Sequence, residues 1–504
     1  MKNDRGGVRQ KSRRLLIFVT VLSVFCIRSS PLFGAISETS GIGDRASALG
    51  GAVTALPNDP TAVYYNPAGL TLLDGFRLWY DHTILNGFGR IDNITEGKRS
   101  RFILESHIHR PTLIATGQIR DVHLGIGLLG ISGIAARYAS DIGESRFFGF
   151  DTKVLQATLT PAIAYRLAPN LSLGATFEIS AFTKIENRQL IGDGFVGDLA
   201  SFRAGLPPGA ISTRDGNPDG SFLTLNDRSF PTGLKPNNSL TADFRNFSFT
   251  AGLLYRPLPW MQVGLTYRER FEPRTVGRAI VRFDEEIKTA LGLQDDQADF
   301  KTNFLTRPRT VNLGVALRPR PRLIFLLDGQ WSGWKDFRDL EISLGQGRQG
   351  PGLLGQNTLV IPTRMHDIFG IRVGMEYEVL PDRYLRLGYW LDKHPQSDRH
   401  YLTPTFPNDA HYLSAGFGWE NFFDLPLYLG LYVQVGIAEP RRLSRGEGRS
   451  AGGLKNFDSS GGGRLQFAPN DVGIRFHSAR FYSFGLTLEY RFGPRSERAR
   501  ESFL

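Results

Sequence analysis

The chain has 504 residues, 41% hydrophobic and 12% aromatic, with a formal net charge of +11 and a mean hydropathy of −0.20. A single cysteine, Cys26, excludes a disulfide framework, and the lack of any apolar run near the ~20 residues a spanning helix needs excludes a helical membrane bundle. No basic cluster interleaved with aromatics points to nucleic acid, and no nucleophile motif, metal-ligand spacing or phosphate loop points to an enzyme or a cofactor.

Residues 1–35 read as an export signal. Lys2, Arg5, Arg9, Lys11, Arg13 and Arg14 precede the apolar run Leu15 to Cys26, and Pro31 to Ala35 supply a breaker and small residues for cleavage after Ala35. Twelve apolar residues are too few for a membrane anchor, and Phe25 ahead of Cys26 argues against a lipoprotein site. The segment holds seven basic residues and one acid, so the mature chain carries only about +5.

Residues 36–75 form the next unit. Gly41 to Leu73 is rich in small residues, punctuated by Gly43, Gly50 and Gly51, and ends in the turn Asn66-Pro67-Ala68-Gly69. By itself this is an irregular loop with an Asn-Pro turn.

Residues 76–492 carry strand patterns of period two. Leu427, Leu429, Leu431, Val433, Val435 and Ile437 oppose Tyr428, Gly430, Tyr432, Gln434 and Gly436. Leu155–Tyr165, Leu171–Ile179 and Ile371–Val379 alternate in the same way, and Phe484, Leu486, Leu488, Tyr490 and Phe492 form the apolar face of the last strand. A soluble sandwich would alternate too, but strands of about ten residues ending in aromatics fit a tilted membrane strand with an aromatic girdle. Six short turns lie at Arg120-Asp121, 168–170, 257–259, 319–321, Pro381-Asp382 and 424–426. Seven long connections lie at 86–99, 132–152, 188–245, 273–307, 332–365, 394–409 and 439–476. Together they join fourteen antiparallel strands, with both termini on the short-turn, periplasmic side. The expectation is an all-β transmembrane barrel ending at Phe492, followed by a polar tail over 493–504.

Several segments, in order, resemble the FadL-type outer-membrane transporters of long-chain fatty acids and hydrocarbons. They are the Gly41–Leu73 stretch, Gly264-Leu265-Thr266-Tyr267-Arg268, the paired tryptophans of Trp331 to Phe337, Leu385 to Pro395, and Asp409 to Gly416. The resemblance implies that residues 36–75 are a hatch plugging the barrel lumen. It further implies passive, hatch-gated uptake of hydrophobic small molecules into the bacterial cell by an outer-membrane monomer. Its other partners would be outer-membrane lipids, lipopolysaccharide and the outer-membrane assembly machinery. A non-transport barrel acting as adhesin, phage receptor or scaffold is the alternative.

Candidate site residues follow. Gly43, Gly50, Gly51, Asn66, Pro67 and Ala68 belong to the hatch. Four glycines in Leu124–Ile134 suggest a bulge or kink, and the resemblance matches Gly130 and Gly133 to a kink that opens the wall sideways. Lys184 shares parity with Ser172, Gly174 and Glu178, and Asp392 with Arg386 and Gly388, so both are expected to face the lumen. Glu341 stands where fatty-acid transporters carry a lysine, and the reversed charge leaves alkanes and aromatics open as ligands. Apolar residues in the third and fourth long connections (Leu190 to Leu206; Ile287, Leu291 and Leu293) suggest a hydrophobic capture groove.

Overall fold

The computed structural model describes residues 41–93, 98–138, 151–190, 222–226, 247–273, 275–282, 296–303, 305–344, 357–398, 408–443, 454–458, 464–467 and 474–492. The export signal, the tail and nearly all of the proposed capture groove lie outside the described residues.

Fourteen strands form a closed antiparallel ring. They are β1 (Phe76–Asn93), β2 (Lys98–Ile119), β3 (Val122–Tyr138), β4 (Asp151–Ala168), β5 (Leu171–Leu190), β6 (Phe247–Leu258), β7 (Met261–Arg268), β8 (Thr310–Arg320), β9 (Leu323–Ser332), β10 (Ile368–Leu380), β11 (Arg383–Asp392), β12 (Ala410–Trp419), β13 (Leu427–Ala438) and β14 (Arg480–Phe492). Each pairs with its sequence neighbours, and β14 returns to β1 from Phe76↔Phe492 to Phe88↔Arg480. Closure leaves no sheet edge among hydrocarbon tails, where an unpaired amide is costly. The six short turns fall where expected, between β2–β3, β4–β5, β6–β7, β8–β9, β10–β11 and β12–β13.

The period-two pattern sorts the two faces. On β13 the tyrosines, glycines and Gln434 are buried inside, while Leu431, Val433 and Ile437 face outward. Aromatic contacts rim the apolar band: Phe76 against Phe492 at the turn side, and Phe88 stacked on Tyr482 at 5.8 Å on the other.

The long connections are not all loops. Five strands (Phe222–Asn226, Thr275–Arg282, Asp296–Thr302, Asp339–Leu344 and Asn357–Pro362) pair in that order from the outer end of β5. They stand as a second tier above β6 to β10. The first connection also shrinks, because β1 runs to Asn93 and β2 starts at Lys98. Extending the ladder satisfies backbone groups that a loop would leave to water.

One part of the wall is irregular. β2 and β3 pair from Leu113↔Leu128 to Ile119↔Val122 and again from Leu104↔Ala136 to Phe102↔Tyr138, but Glu105–Thr112 and Leu129–Ala135 do not pair with each other. Within this break β3 carries an extra residue, Ile131, against β4.

Candidate functional site: the plugged lumen and the break in the wall

Gly41 to Leu73 lies inside the ring and is almost wholly buried. It contains a one-turn helix α1 (Asp44–Ala48), a second α2 (Ala62–Tyr65) and a 3-10 turn Pro67–Leu72. Three short helical pieces suit a segment too rich in Gly and Pro for one long helix.

Asn66 organises the last turn. Its Oδ1 accepts from Ala68 N at 3.2 Å, capping the 3-10 turn whose first residue is Pro67. Its Nδ2 donates to Thr54 O within the plug at 2.8 Å and to Leu253 O on β6 at 3.1 Å. One fully buried amide thus joins two stretches of plug to the wall.

The other end of the plug is held by charge. Arg45 makes a two-pronged pair with Glu376 of β10, at 3.0 and 3.2 Å. Arg386 of β11 bonds the same carboxylate at 2.6 Å and Asp44 at 2.9 Å, and Asp44 also accepts from Tyr428 of β13. All five side chains are buried. Further bonds reach the plug from Arg110, Arg166, Thr176, Gln262, Arg268, Asp328, Ser414 and Thr487. Plug contacts therefore come from nearly every sector of the ring.

Glycines make this proximity possible. Gly50 has φ 64° and its Cα lies against the backbone of Tyr389, where a Cβ would come within 2.7 Å of the carbonyl oxygen. Across the contact, a Cβ on Gly388 would strike the backbone of Leu49 and Gly50. Gly43 and Gly51 also have positive φ. The lumen-facing glycines of the strands, Gly252, Gly264, Gly388 and Gly430, were not singled out as site residues; their signal is a glycine in the small-residue face of neighbouring strands.

Above the plug the lumen wall is aromatic. Trp390 and Tyr412 stack at 4.7 Å, and Arg372, bonded to Gln330 at 2.8 Å, lies over the Trp390 ring. Ala410, Ala438 and Ala479 cluster with them. Below the plug, on the short-turn side, is a cavity of about 550 Å³. Its lining is strongly charged and includes Asp59, Arg318, Arg322, Glu378, Glu420 and Arg491.

The remaining candidates are dispersed. Asp392 lies at the outer end of β11, half-buried, on the inward parity with Trp390, two residues beyond the aromatic pair. Glu341 is exposed on the second tier, where it pairs with Val360. Lys184 requires a correction. Thr158 pairs with Ser180 but Ala157 with Phe182, so Ala181 is an inserted residue and the alternation grouping Lys184 with Ser172 and Glu178 ends there. Lys184 stands opposite Leu155. On β3 the irregularity lies between Gly130 and Ser132, and Gly133 pairs regularly with Leu155. A Cβ on Gly130 would come within 2.8 Å of the Arg110 side chain across the break.

The family described as outer membrane protein transport protein (OMPP1/FadL/TodX) matches residues 34–436. The chain belongs to this family. It is an outer-membrane β-barrel, as the members of the FadL family are, and those members are transport channels. Solved structures agree on the fold. The toluene transporter TodX of P. putida is 18% identical with a TM-score of 0.65, covering 90% of this chain and 100% of its own. A Pseudomonas aeruginosa FadL homologue is 19% identical with a TM-score of 0.64, over 92% and 100%. The Ralstonia pickettii toluene transporter TbuX is 15% identical with a TM-score of 0.61, over 90% and 99%. No curated protein matches the sequence.

Proposed function

We propose that this protein is a passive channel for neutral hydrophobic small molecules, gated by its plug. Cargo enters from the outer side and reaches the Trp390–Tyr412 patch. It leaves sideways through the break between β2 and β3 when the plug shifts. Gly130 and Ile131 border that break, and Asn66, Pro67 and Ala68 are the joint about which the plug moves. The observation that carries this reading is the break itself, set beside a buried plug and above a charged cavity. A flat hydrocarbon of ~200 Å² gains about 5 kcal/mol on leaving water for an apolar surface. It forfeits that gain in a cavity lined by carboxylates and guanidiniums, so the way down is the poorer exit.

Neutral cargo is favoured over a fatty acid. The aromatic patch has Asp392 nearby, and the guanidinium of Arg372 is already engaged by Gln330 and the Trp390 face. Two similar structures, TodX and TbuX, are described as toluene transporters, which agrees with a flat apolar ligand. The test is uptake by cells that rely on this protein, offered a neutral aromatic, an alkane and a long-chain fatty acid. The double variant Asn66→Ala with Pro67→Ala is expected to reduce uptake of the neutral compounds while the barrel still assembles. Unchanged uptake of every compound would remove the transport reading.

A further inference from the structure

Arg110 touches both the break in the wall and the plug. On β2 it shares the parity of Thr112, Ile114 and Thr116, all buried, so it enters the lumen. It stands in the stretch of β2 that does not pair with β3. Its neighbour Pro111 has no amide hydrogen to give β3, which removes a ladder bond near the lower end of the break.

The two ends of the Arg110 side chain meet different partners. Its methylenes run beside β3, since a Cβ on Gly130 would lie 2.8 Å from Arg110 Cγ and 3.2 Å from the Pro111 carbonyl oxygen. Its guanidinium donates to the carbonyl of Gly41, at the start of the plug. Arg110 is only 7% exposed. A guanidinium carries five N–H donors, and burial keeps them turned toward acceptors. If the Gly41 carbonyl moves away, another acceptor must take its place. Asp81 is at hand on β1, two residues below Thr83, the ladder partner of Arg110. Its oxygens accept from Thr83 and Thr487, and its carboxylate attracts the Arg110 charge.

We propose that Arg110 is a positioning residue, the bolt of the lateral exit. While Gly41 holds the guanidinium, the stem closes the break beside Gly130. When the plug shifts, the guanidinium turns to Asp81 and the break opens. This role rests on the sideways exit proposed above and supplies the link between plug and wall. A side chain shared between two acceptors has two discrete positions, as coupling of two sites requires.

The test reads the break without any cargo. Ile131, the inserted residue of β3, is 4% exposed and belongs to the buried cluster that includes Ile42 and Tyr65 of the plug. Ile131→Cys, with the chain's single cysteine removed by Cys26→Ser, places one thiol there. Purified barrels in detergent are treated with pyrene maleimide, an apolar thiol reagent, and fluorescence follows the rate of labelling. Labelling of this parent is expected to be slow. Arg110→Met keeps the stem and loses the donors, and is expected to label about tenfold faster through loss of a charge-assisted hydrogen bond. Arg110→Lys keeps a donor for Gly41 and is expected to label as slowly as the parent. Deletion of residues 41–73 is expected to speed labelling by itself, and Arg110→Met is expected to add nothing to it.

A side chain that merely fills space would be replaced by Met as well as by Lys. Equal labelling of the Met and Lys variants, or additive effects of Arg110→Met and the plug deletion, would overturn the proposal. Heat-modifiable gel mobility reports folding, and Arg110→Gln takes the place of Arg110→Met if that variant does not fold. Uptake by the Asn66→Ala, Pro67→Ala variant is a separate readout. Unchanged uptake there would remove the transport reading alone, and equal labelling beside plug-dependent uptake would remove the bolt alone.

Discussion

Single side chains carry distinct tasks in the lumen. Asn66 holds the plug through three hydrogen bonds, each worth about 0.5–1.5 kcal/mol net and more when its loss leaves a buried group unsatisfied. Trp390 offers the surface that cargo would meet. Trp390→Ala is expected to weaken binding of a neutral aromatic about tenfold, the combined effect of lost area and ring contact; fluorescence titration of the purified barrel reads it. An unchanged affinity would place the binding surface elsewhere in the lumen. Asn66 stood out in the sequence because an Asn-Pro turn is a local signal. Trp390 did not stand out as a ligand residue. Its alternation marked only a face, and its neighbour Tyr412 comes from the next strand.

At the level of elements, the plug is held at one end by ion pairs and at the other by an amide. Glu376 is the shared counter-charge of Arg45 and Arg386. Glu376→Ala leaves two buried guanidiniums short of a partner, a change costing about 3–5 kcal/mol in comparable sites. The expected result is a plug that opens more often, seen as faster hydrogen exchange over residues 41–56 while exchange in β11 to β14 stays slow. If the plug exchanged no faster, the pairs would brace the wall and not retain the plug. The strands and short turns were legible because each is encoded over about ten residues. The second tier was not, since those segments read as loops until the outer end of β5 offers them an edge to pair with.

For the whole molecule, ring and plug are separable. The ring closes through strand pairing alone, from β1 round to β14, so deletion of residues 41–73 is expected to leave a folded barrel. Without the plug, ions should pass. Planar-bilayer recording is expected to show a steady open conductance for the deletion variant and a mostly closed wild type. A deletion variant that assembles yet conducts nothing would mean that other segments also close the lumen.

Strand number, strand direction and the sidedness of the termini could be read from the chain in order, because period-two alternation and turn residues are local properties. So could the Asn66-Pro67 turn. Other features needed the closed ring. The inserted Ala181 breaks the parity of Lys184, and no count along β5 reveals it without the partner strand β4. The β2–β3 break is a property of two strands together. The Asp44–Arg386 and Arg45–Glu376 pairs join residues more than 300 positions apart, and they form only where plug and wall share one buried volume, so only the three-dimensional arrangement assigns them.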